Sequence, residues 1–329
     1  MKLLKRLLIL TLFVVLVPAF TFADRGTKED EGEEKPLVVL LWLGAQTPYG
    51  PPFISNFHFL ANENGWVDIV FDGKFDAALQ ASQMDDAIAM KPDLIDLVAL
   101  DAAGMAPGIR KAWEAGIPVL MDHTKANPED EKYTVGYTGP DNYLEGVACA
   151  ELMHDALKGK GKVVMIEGAA GQEAQINRAQ GFIDRLEELD SKIEILARQT
   201  AEWRKDLATR VMQDWIVRYG DEIDGVYGQD DTLAVGAWVA LEEAGYKKGD
   251  VVIIGMGGSR EGLAAVNEGI LHGTVMQSPI PGSTKAIETI KRIFEQGIKP
   301  PKQIDPYFNW MDLPKVTKEN VEQYLPGDW

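Results

Sequence analysis

Residues 162–197, KVVMIEGAAGQEAQINRAQGFIDRLEELDSKIEILA, contain the pattern that decides the fold. An apolar run of strand length covers residues 162–167, and a segment with apolar residues at three-to-four spacing follows over residues 173–188. A second apolar run covers residues 193–197. A buried strand, an amphipathic helix and another buried strand in this order are typical of a parallel βαβ unit.

The same alternation extends over most of the chain. The predicted strands cover residues 37–43, 67–71, 94–100, 119–122, 162–167, 193–197, 225–227, 251–254 and 273–276. The predicted helices cover residues 76–90, 143–157, 173–188, 204–219 and 232–244. Two sheets accommodate this number of strands more economically than one, so we predict an α/β fold with two doubly wound parallel sheets.

The first 23 residues have the pattern of an export signal. Lys2, Lys5 and Arg6 precede an apolar run over residues 7–17, and small residues follow at a cleavage site over residues 21–23. A membrane anchor is the alternative, but the run is shorter than the ~20 residues that a membrane-spanning helix needs. We therefore predict a cleaved signal peptide, a periplasmic location and no membrane span after cleavage.

The chain is strongly acidic once the signal is removed. Residues 24–35, DRGTKEDEGEEK, are charged and almost free of apolar side chains, which predicts an acidic flexible tether. Removing residues 1–23 takes away three positive charges and no acid, so the formal net charge changes from −18 to −21. A negative chain repels nucleic acid and anionic lipid, so we expect no nucleic-acid partner.

The sequence carries no recognisable catalytic motif. The four histidines, His58, His123, His154 and His272, lack the HExxH and HxH spacings of zinc sites. There is no G-x-S-x-G elbow, no P-loop, and no full G-x-G-x-x-G motif after the first strand. We therefore predict a protein that is not an enzyme and that uses no metal or cofactor.

Polar and aromatic residues recur where the predicted strands end. Ligands of open parallel sheets bind beyond the carboxyl ends of the strands, so these positions are the candidates for binding. They are Trp42 and Tyr49 after the first strand, Asp122 and His123 after the fourth, Asp230 and Asp231 after the strand at 225–227, and Gln277 after the last.

Short motifs connect these positions to a known family. They are Pro92-Asp93-Leu94-Ile95, residues 115–119 (AGIPV) with Asp122, Asp141-Asn142 with Gly146, residues 161–163 (GKV), residues 177–182 (NRAQGF), Trp203, residues 229–231 (QDD), residues 234–237 (AVGA) and residues 273–279 (GTVMQSP). In their order and spacing, they resemble the periplasmic sugar-binding proteins of the ribose-binding type. The resemblance spans most of the chain after residue 36.

This resemblance implies two similar α/β lobes, joined by a hinge of three crossovers, that close around one sugar. It also implies delivery of the sugar to the permease subunits of an ABC-type transporter. The crossovers would lie near residues 139–141, 277–279 and 306–310. The first lobe would comprise residues 36–140 and 278–305, and the second residues 141–277 and 306–329.

The resemblance also implies roles for the polar candidates. Asp122 matches an aspartate that accepts hydrogen bonds from sugar hydroxyls, and Arg178 matches the family's sugar-binding arginine. Asp230 and Gln277 match further polar binding positions, although Asp231 is the alternative to Asp230 as the residue that faces the cleft. Helix capping, a solvated helix face and hinge hydrogen bonding are the structural alternatives for these side chains.

The aromatic candidates follow the same mapping. Trp203 matches the family's stacking aromatic, and an indole ring can pack on the apolar face of a sugar or cyclitol. Trp42 and Tyr49 are candidates for the opposite wall, with an ordinary core position as the alternative. His123 stands where relatives commonly carry arginine, and residues 255–258 (GMGG) lack the family's aspartate, which argues against ribose itself as the ligand.

The sequence thus predicts an exported, monomeric solute-binding protein that captures a monosaccharide or related polyol by hinge closure. One alternative is a sensor lobe that presents its ligand to a chemoreceptor or kinase. Another is a secreted sugar-active enzyme, which needs two carboxylates beside its substrate; Asp122 and Asp230 are the candidates.

Overall fold

The computed structural model describes residues 35–329, so the predicted signal peptide and residues 24–34 of the tether lie outside the described residues. Over the described range, the chain forms two six-stranded sheets flanked by helices. This arrangement confirms the predicted α/β class with two parallel-sheet lobes.

The elements follow one another in a βα alternation. In chain order they are β1 (Leu37–Trp42), α1 (Gly50–Glu63), β2 (Val67–Asp72), α2 (Ala77–Met90), β3 (Leu94–Leu97), α3 (Ala102–Glu114), β4 (Val119–Asp122), β5 (Gly136–Gly139), α4 (Asn142–Leu157), β6 (Lys160–Glu167), α5 (Glu173–Glu188), β7 (Lys192–Thr200), α6 (Lys205–Tyr219), β8 (Gly225–Gly228), α7 (Asp231–Glu243), β9 (Val252–Ile254), α8 (Arg260–Asn267), β10 (Gly273–Val275), α9 (Pro279–Glu295), β11 (Phe308–Trp310) and β12 (Lys315–Thr317).

The first sheet has the strand order β11-β5-β4-β3-β1-β2, and its pairs are parallel. Alternate residues of β1 point to opposite faces, so Val38 and Leu40 pack with α1 and α9 while Val39 and Leu41 pack with α2 and α3. Helices on both faces explain why β1 is apolar along its whole length.

The second sheet has the order β12-β10-β9-β8-β6-β7. Its strands are parallel except for β12, which pairs antiparallel with β10. Val163 and Met165 of β6 pack with α4 and α5, whereas Val164 and Ile166 pack with α6, α7 and α8. Cys149 is buried among the apolar side chains on the α4 side.

The chain passes between the two sheets three times. The first passage lies between Gly139 of β5 and Asn142 of α4, and the second lies between Val275 of β10 and α9, which packs on the first sheet. The third lies between β11 and β12, at residues 311–314.

This third passage corrects the predicted boundary. Residues 306–310 were assigned to the second lobe, but Phe308–Trp310 pairs with β5 of the first sheet. The assignment is wrong because β11 is only three residues long and is specified by its long-range pairing with β5. β5 itself has the sequence GYTG, which lacks the apolar run that predicts a strand.

Side-chain caps start several helices close to the strand ends. Asp76, Asp101, Asp141, Asp230 and Ser259 accept hydrogen bonds from backbone N–H groups in the first turns of α2, α3, α4, α7 and α8. Such caps satisfy donors that a helix cannot satisfy by itself. Within residues 35–329, no helix is both long and apolar enough to cross a membrane.

Candidate ligand-binding cleft

A cavity of about 120 Å³ lies at the carboxyl ends of the strands and is lined by residues that follow strands of both sheets. A cavity needs roughly 10–15 Å³ by this measure to hold one water molecule, so this cavity has space for a small molecule. The polar lining comprises Thr47, His123, Thr124, Asn142, Gln172, Arg178, Asp230, Thr232 and Gln277, and the aromatic lining comprises Trp42, Tyr49, Phe75, Trp203 and Trp329.

Arg178 lies at the cavity with its guanidinium held in place by three partners. Its Nε donates to a Glu145 carboxylate oxygen at 2.7 Å, and its terminal nitrogens donate to the Gln229 carbonyl at 3.0 Å and the Gln277 side-chain oxygen at 2.9 Å. Burial lowers the pKa of Arg178, but the charge and hydrogen bond of Glu145, together with Tyr227 and Asp230, raise the pKa above its ordinary value. Arg178 is therefore a fixed, charged donor.

Glu145 is a functional residue that the sequence prediction missed. It lies on α4, is completely buried, and forms an ion pair with Arg178. Burial raises the pKa of Glu145, and the contact with Arg178 opposes that rise. One feature of the sequence could have identified Glu145. It lies in the first turn of α4 close to the buried residues Gly146 and Cys149, and a carboxylate that is buried there needs a partner.

Trp203 lines the cavity from the loop before α6. Its φ of 56° is left-handed, and its ring lies directly against Gly168, where a Cβ atom would overlap the indole. The indole N–H donates to the Gln172 side-chain oxygen at 2.7 Å, and the Arg178 guanidinium lies 5.5 Å from the ring centroid. The ring is thus fixed in orientation next to the main cationic donor.

Asp230, and not Asp231, lines the cavity. Asp230 caps α7 by accepting from the Leu233 N–H at 2.7 Å. Asp231 is buried behind it, where its carboxylate accepts from Ser259 N–H and the Thr274 hydroxyl, both at 2.7 Å. Burial raises the pKa of Asp230 to about 7.

Asp122 lies behind His123 rather than on the cavity surface. His123 has a left-handed φ of 57°, which turns its ring into the cavity lining. Its Nδ1 lies 2.5 Å from an Asp122 carboxylate oxygen, and its Nε2 lies 2.7 Å from the Tyr49 hydroxyl. Asp122 is therefore absent from the cavity lining and contacts the histidine, while its Oδ2 has no hydrogen-bond partner among residues 35–329; direct binding of the ligand by this aspartate stays a prediction.

Burial shifts the pKa of every group in this chain of hydrogen bonds. It lowers the pKa of His123 to about 3, so the ring is neutral, and it raises the pKa values of Tyr49 and Asp122 well above their ordinary ranges, so the hydroxyl is protonated. A neutral imidazole has one N–H donor and one acceptor nitrogen, so it uses one of these in each of its two contacts. Asp122 thereby orients His123 and, through it, Tyr49.

The remaining predicted residues also reach the cavity. Trp42 lines it while its N–H donates to the Gly44 carbonyl at 3.1 Å, and its ring is stacked at 6.4 Å from that of Tyr49. Gln277 lines the cavity at the second passage and accepts from Arg178. The structure thus brings together seven of the eight predicted ligand residues, with Asp122 one contact away.

The sequence prediction missed several polar and aromatic lining residues, namely Thr47, Phe75, Thr124, Asn142, Gln172, Thr232 and Trp329. Phe75 and Gln172 lie in the loops that follow β2 and β6, whereas Trp329 lies in the tail after β12. Among residues 35–329, no group of three or more His, Cys, Asp or Glu side chains is placed to hold a metal ion.

Comparison with known proteins agrees with this geometry. Residues 38–298 match the family model for the periplasmic binding protein domain, so the chain belongs to this family. Within the family it is of the ribose-binding type, as its motifs predict.

Similar proteins come from several bacteria. A xylitol-binding protein of Mycolicibacterium smegmatis is 33% identical over 248 residues, covering 75% of this chain and 67% of that protein. The ribose import binding protein of Escherichia coli is 27% identical over 235 residues, covering 71% and 77% of the two chains. The solved structure of an ABC transporter periplasmic solute binding protein from Actinobacillus succinogenes with bound D-allose has a TM-score of 0.77 and 25% identity, covering 88% of this chain and all of that one.

Proposed function

We propose that the protein captures a monosaccharide or related polyol by hinge closure and delivers it to the permease subunits of an ABC-type importer. The observation that carries this proposal is a cavity with space for a small molecule, lined by aromatic rings and polar side chains that follow strands of both sheets. The names of the relatives, a xylitol-binding and a ribose import binding protein, support the same ligand class.

The lining has the chemistry that a neutral polyol needs. Arg178 uses three of its five N–H groups within the protein, which leaves two donors for ligand oxygens. Asp230 offers carboxylate oxygens to ligand hydroxyls, and Trp203 offers a flat apolar face to the C–H side of the ring. One charged donor and one charged acceptor beside aromatic walls suit a ligand that has hydroxyls but no net charge.

Closure follows from the division of the site between the sheets. Tyr49 and His123 follow strands of the first sheet, whereas Arg178, Trp203 and Asp230 belong to elements of the second. A ligand that contacts both groups stabilises the conformation in which they are close, and this shifts the population toward the closed form.

A sugar-active enzyme is not favoured. That activity requires two carboxylates that flank the substrate, and of the candidate pair only Asp230 lines the cavity while Asp122 lies behind His123. A periplasmic location and a monomeric state complete the proposal, and light scattering on residues 24–329 tests the latter.

Thermal unfolding of residues 24–329 with xylitol, D-ribose, D-allose, myo-inositol or an amino acid tests the ligand class. A ligand at a hundred times its Kd adds about 2.7 kcal/mol to the free energy of unfolding. We expect a rise in Tm with at least one sugar or polyol and none with the amino acid. A rise with the amino acid alone would contradict the proposed ligand class.

A further inference from the structure

Trp329 contributes an aromatic wall to the cavity from a part of the chain that follows both sheets. Its indole lies 5.2 Å from the Tyr49 ring in an edge-to-face arrangement of 78°. On its other side the ring lies over Gly257, where a Cβ atom would be 2.9 Å from Cζ2 of the indole. The ring therefore lies between a loop of the first lobe and a loop of the second, beside the ligand space.

Several hydrogen bonds hold the tail, residues 326–329, in this position. The Trp329 carbonyl accepts from the backbone N–H of Arg260 at 2.6 Å, and the Gly327 carbonyl accepts from the Arg260 guanidinium at 3.4 Å. The Asp328 carboxylate accepts from the Ser278 hydroxyl at the second passage. The tail is thus anchored both to the start of α8 and to the start of α9.

The indole N–H of Trp329 is buried, and no hydrogen-bond partner for it occurs within residues 35–329. A buried donor without a partner is uncommon in folded proteins because its desolvation is not compensated. The indole N–H of Trp203, in contrast, is satisfied by Gln172. Of these two cavity tryptophans, Trp329 is the one whose N–H has no partner among the described residues.

We propose that Trp329 is a ligand-contacting residue that helps to determine specificity, with its ring packed on the apolar face of the sugar or polyol and its N–H donated to a ligand oxygen. This inference rests on the proposed function. Because the ring also contacts Tyr49, it joins the first-lobe and second-lobe parts of the site around the bound molecule.

Isothermal titration calorimetry on the full chain tests this role with whichever of xylitol, D-ribose, D-allose and myo-inositol binds the native protein most tightly. We expect Trp329→Phe to raise Kd about two- to twelvefold, as for one lost neutral hydrogen bond. Trp329→Ala removes the ring as well and should raise Kd about thirtyfold or more. Trp113→Phe and Trp113→Ala are the matched controls, because Trp113 lies near the end of α3, packs on Tyr133 and is outside the cavity lining; they should leave Kd unchanged.

The outcomes separate this inference from the proposed function. If the native protein binds one of these molecules and Trp329→Ala, folded by its Tm, keeps the native Kd, the inference is overturned while the proposed function stands. A raised Kd for Trp329→Ala together with a native Kd for Trp329→Phe would overturn the role of the N–H as a donor and retain the contact between ring and ligand. A native protein that binds no sugar or polyol would overturn both.

Discussion

Arg178 and Glu145 form a buried ion pair, with the guanidinium Nε 2.7 Å from the carboxylate and side-chain exposures of 7% and 0%. The pair joins α5 to α4 behind the cavity. In the binding role proposed for Arg178, the pair preorganises the remaining N–H groups for a ligand, and preorganisation reduces the entropy that binding costs. Under this proposal, binding and folding are coupled at this residue.

We expect Arg178→Ala to abolish measurable binding and also to destabilise the fold. The substitution leaves the Glu145 carboxylate buried without its partner, which typically costs about 3–5 kcal/mol. Calorimetry measures the loss of binding, and urea unfolding at pH 7 measures the loss of stability.

The double variant Arg178→Met with Glu145→Leu separates the two roles. Replacing both charges with apolar groups of similar volume is often neutral or stabilising, so the free energy of unfolding should recover. Binding should remain lost. Native affinity in the folded double variant would contradict the binding role of Arg178.

Gly168→Ala should weaken binding because the added methyl group displaces the Trp203 ring. We expect Kd to rise about tenfold, which corresponds to roughly 1.4 kcal/mol of lost contact. Calorimetry on Gly168→Ala, Trp203→Ala and the double variant checks the mechanism. If Gly168→Ala weakens binding only by displacing the Trp203 ring, the double variant should bind no more weakly than Trp203→Ala. Additive losses of binding free energy would contradict this mechanism.

Affinity should increase with pH between about 5 and 8. Burial raises the pKa of Asp230 to about 7, so this carboxyl is mostly ionised at pH 8 and protonated at pH 5. An ionised carboxylate is the better acceptor for a ligand hydroxyl, so Kd should rise by up to about tenfold for each pH unit below 7. Asp230→Asn should bind more weakly at pH 8, with a flat profile. A pH-independent Kd for the native protein would contradict an ionised Asp230 in the complex.

Tyr49→Phe should lower the free energy of unfolding by about 1–3 kcal/mol, since it leaves the buried Nε2 atom of His123 without its hydrogen-bond partner. Denaturant unfolding at pH 7 measures this loss. Tyr219→Phe is the control, because the Tyr219 hydroxyl makes only a 3.4 Å contact with a backbone carbonyl. An equal loss of unfolding free energy in both variants would show that the Tyr49–His123 hydrogen bond stabilises the fold no more than the Tyr219 contact does.

Local sequence patterns predicted the two sheets and seven of the twenty residues that line the cavity, because strand exits converge in a parallel sheet. Trp42, Arg178 and Gln277 were recognisable from their positions next to apolar strands or within a family motif. Helices α1, α3, α8 and α9 were not among the predicted helices. Helix α3 begins at an Asp cap but contains an internal proline that interrupts its pattern.

The residues that were missed depend on contacts between distant parts of the chain. Glu145 lies 33 positions from Arg178, and only the packing of α4 on α5 shows that the two meet. Trp329 reaches the cavity because its tail binds α8, and β11 exists only through its pairing with β5. The position of Asp122 behind His123 depends on one left-handed φ angle, which residue type alone did not reveal.

The third passage between the sheets sets a mechanical limit on opening. β11 is hydrogen-bonded into one sheet and β12 into the other, so residues 311–314 form a short connection that is fixed at both ends. Five extended residue steps from Trp310 to Lys315 span at most about 18 Å. At this edge the connection therefore limits how far Trp310 and Lys315 can separate when the lobes open.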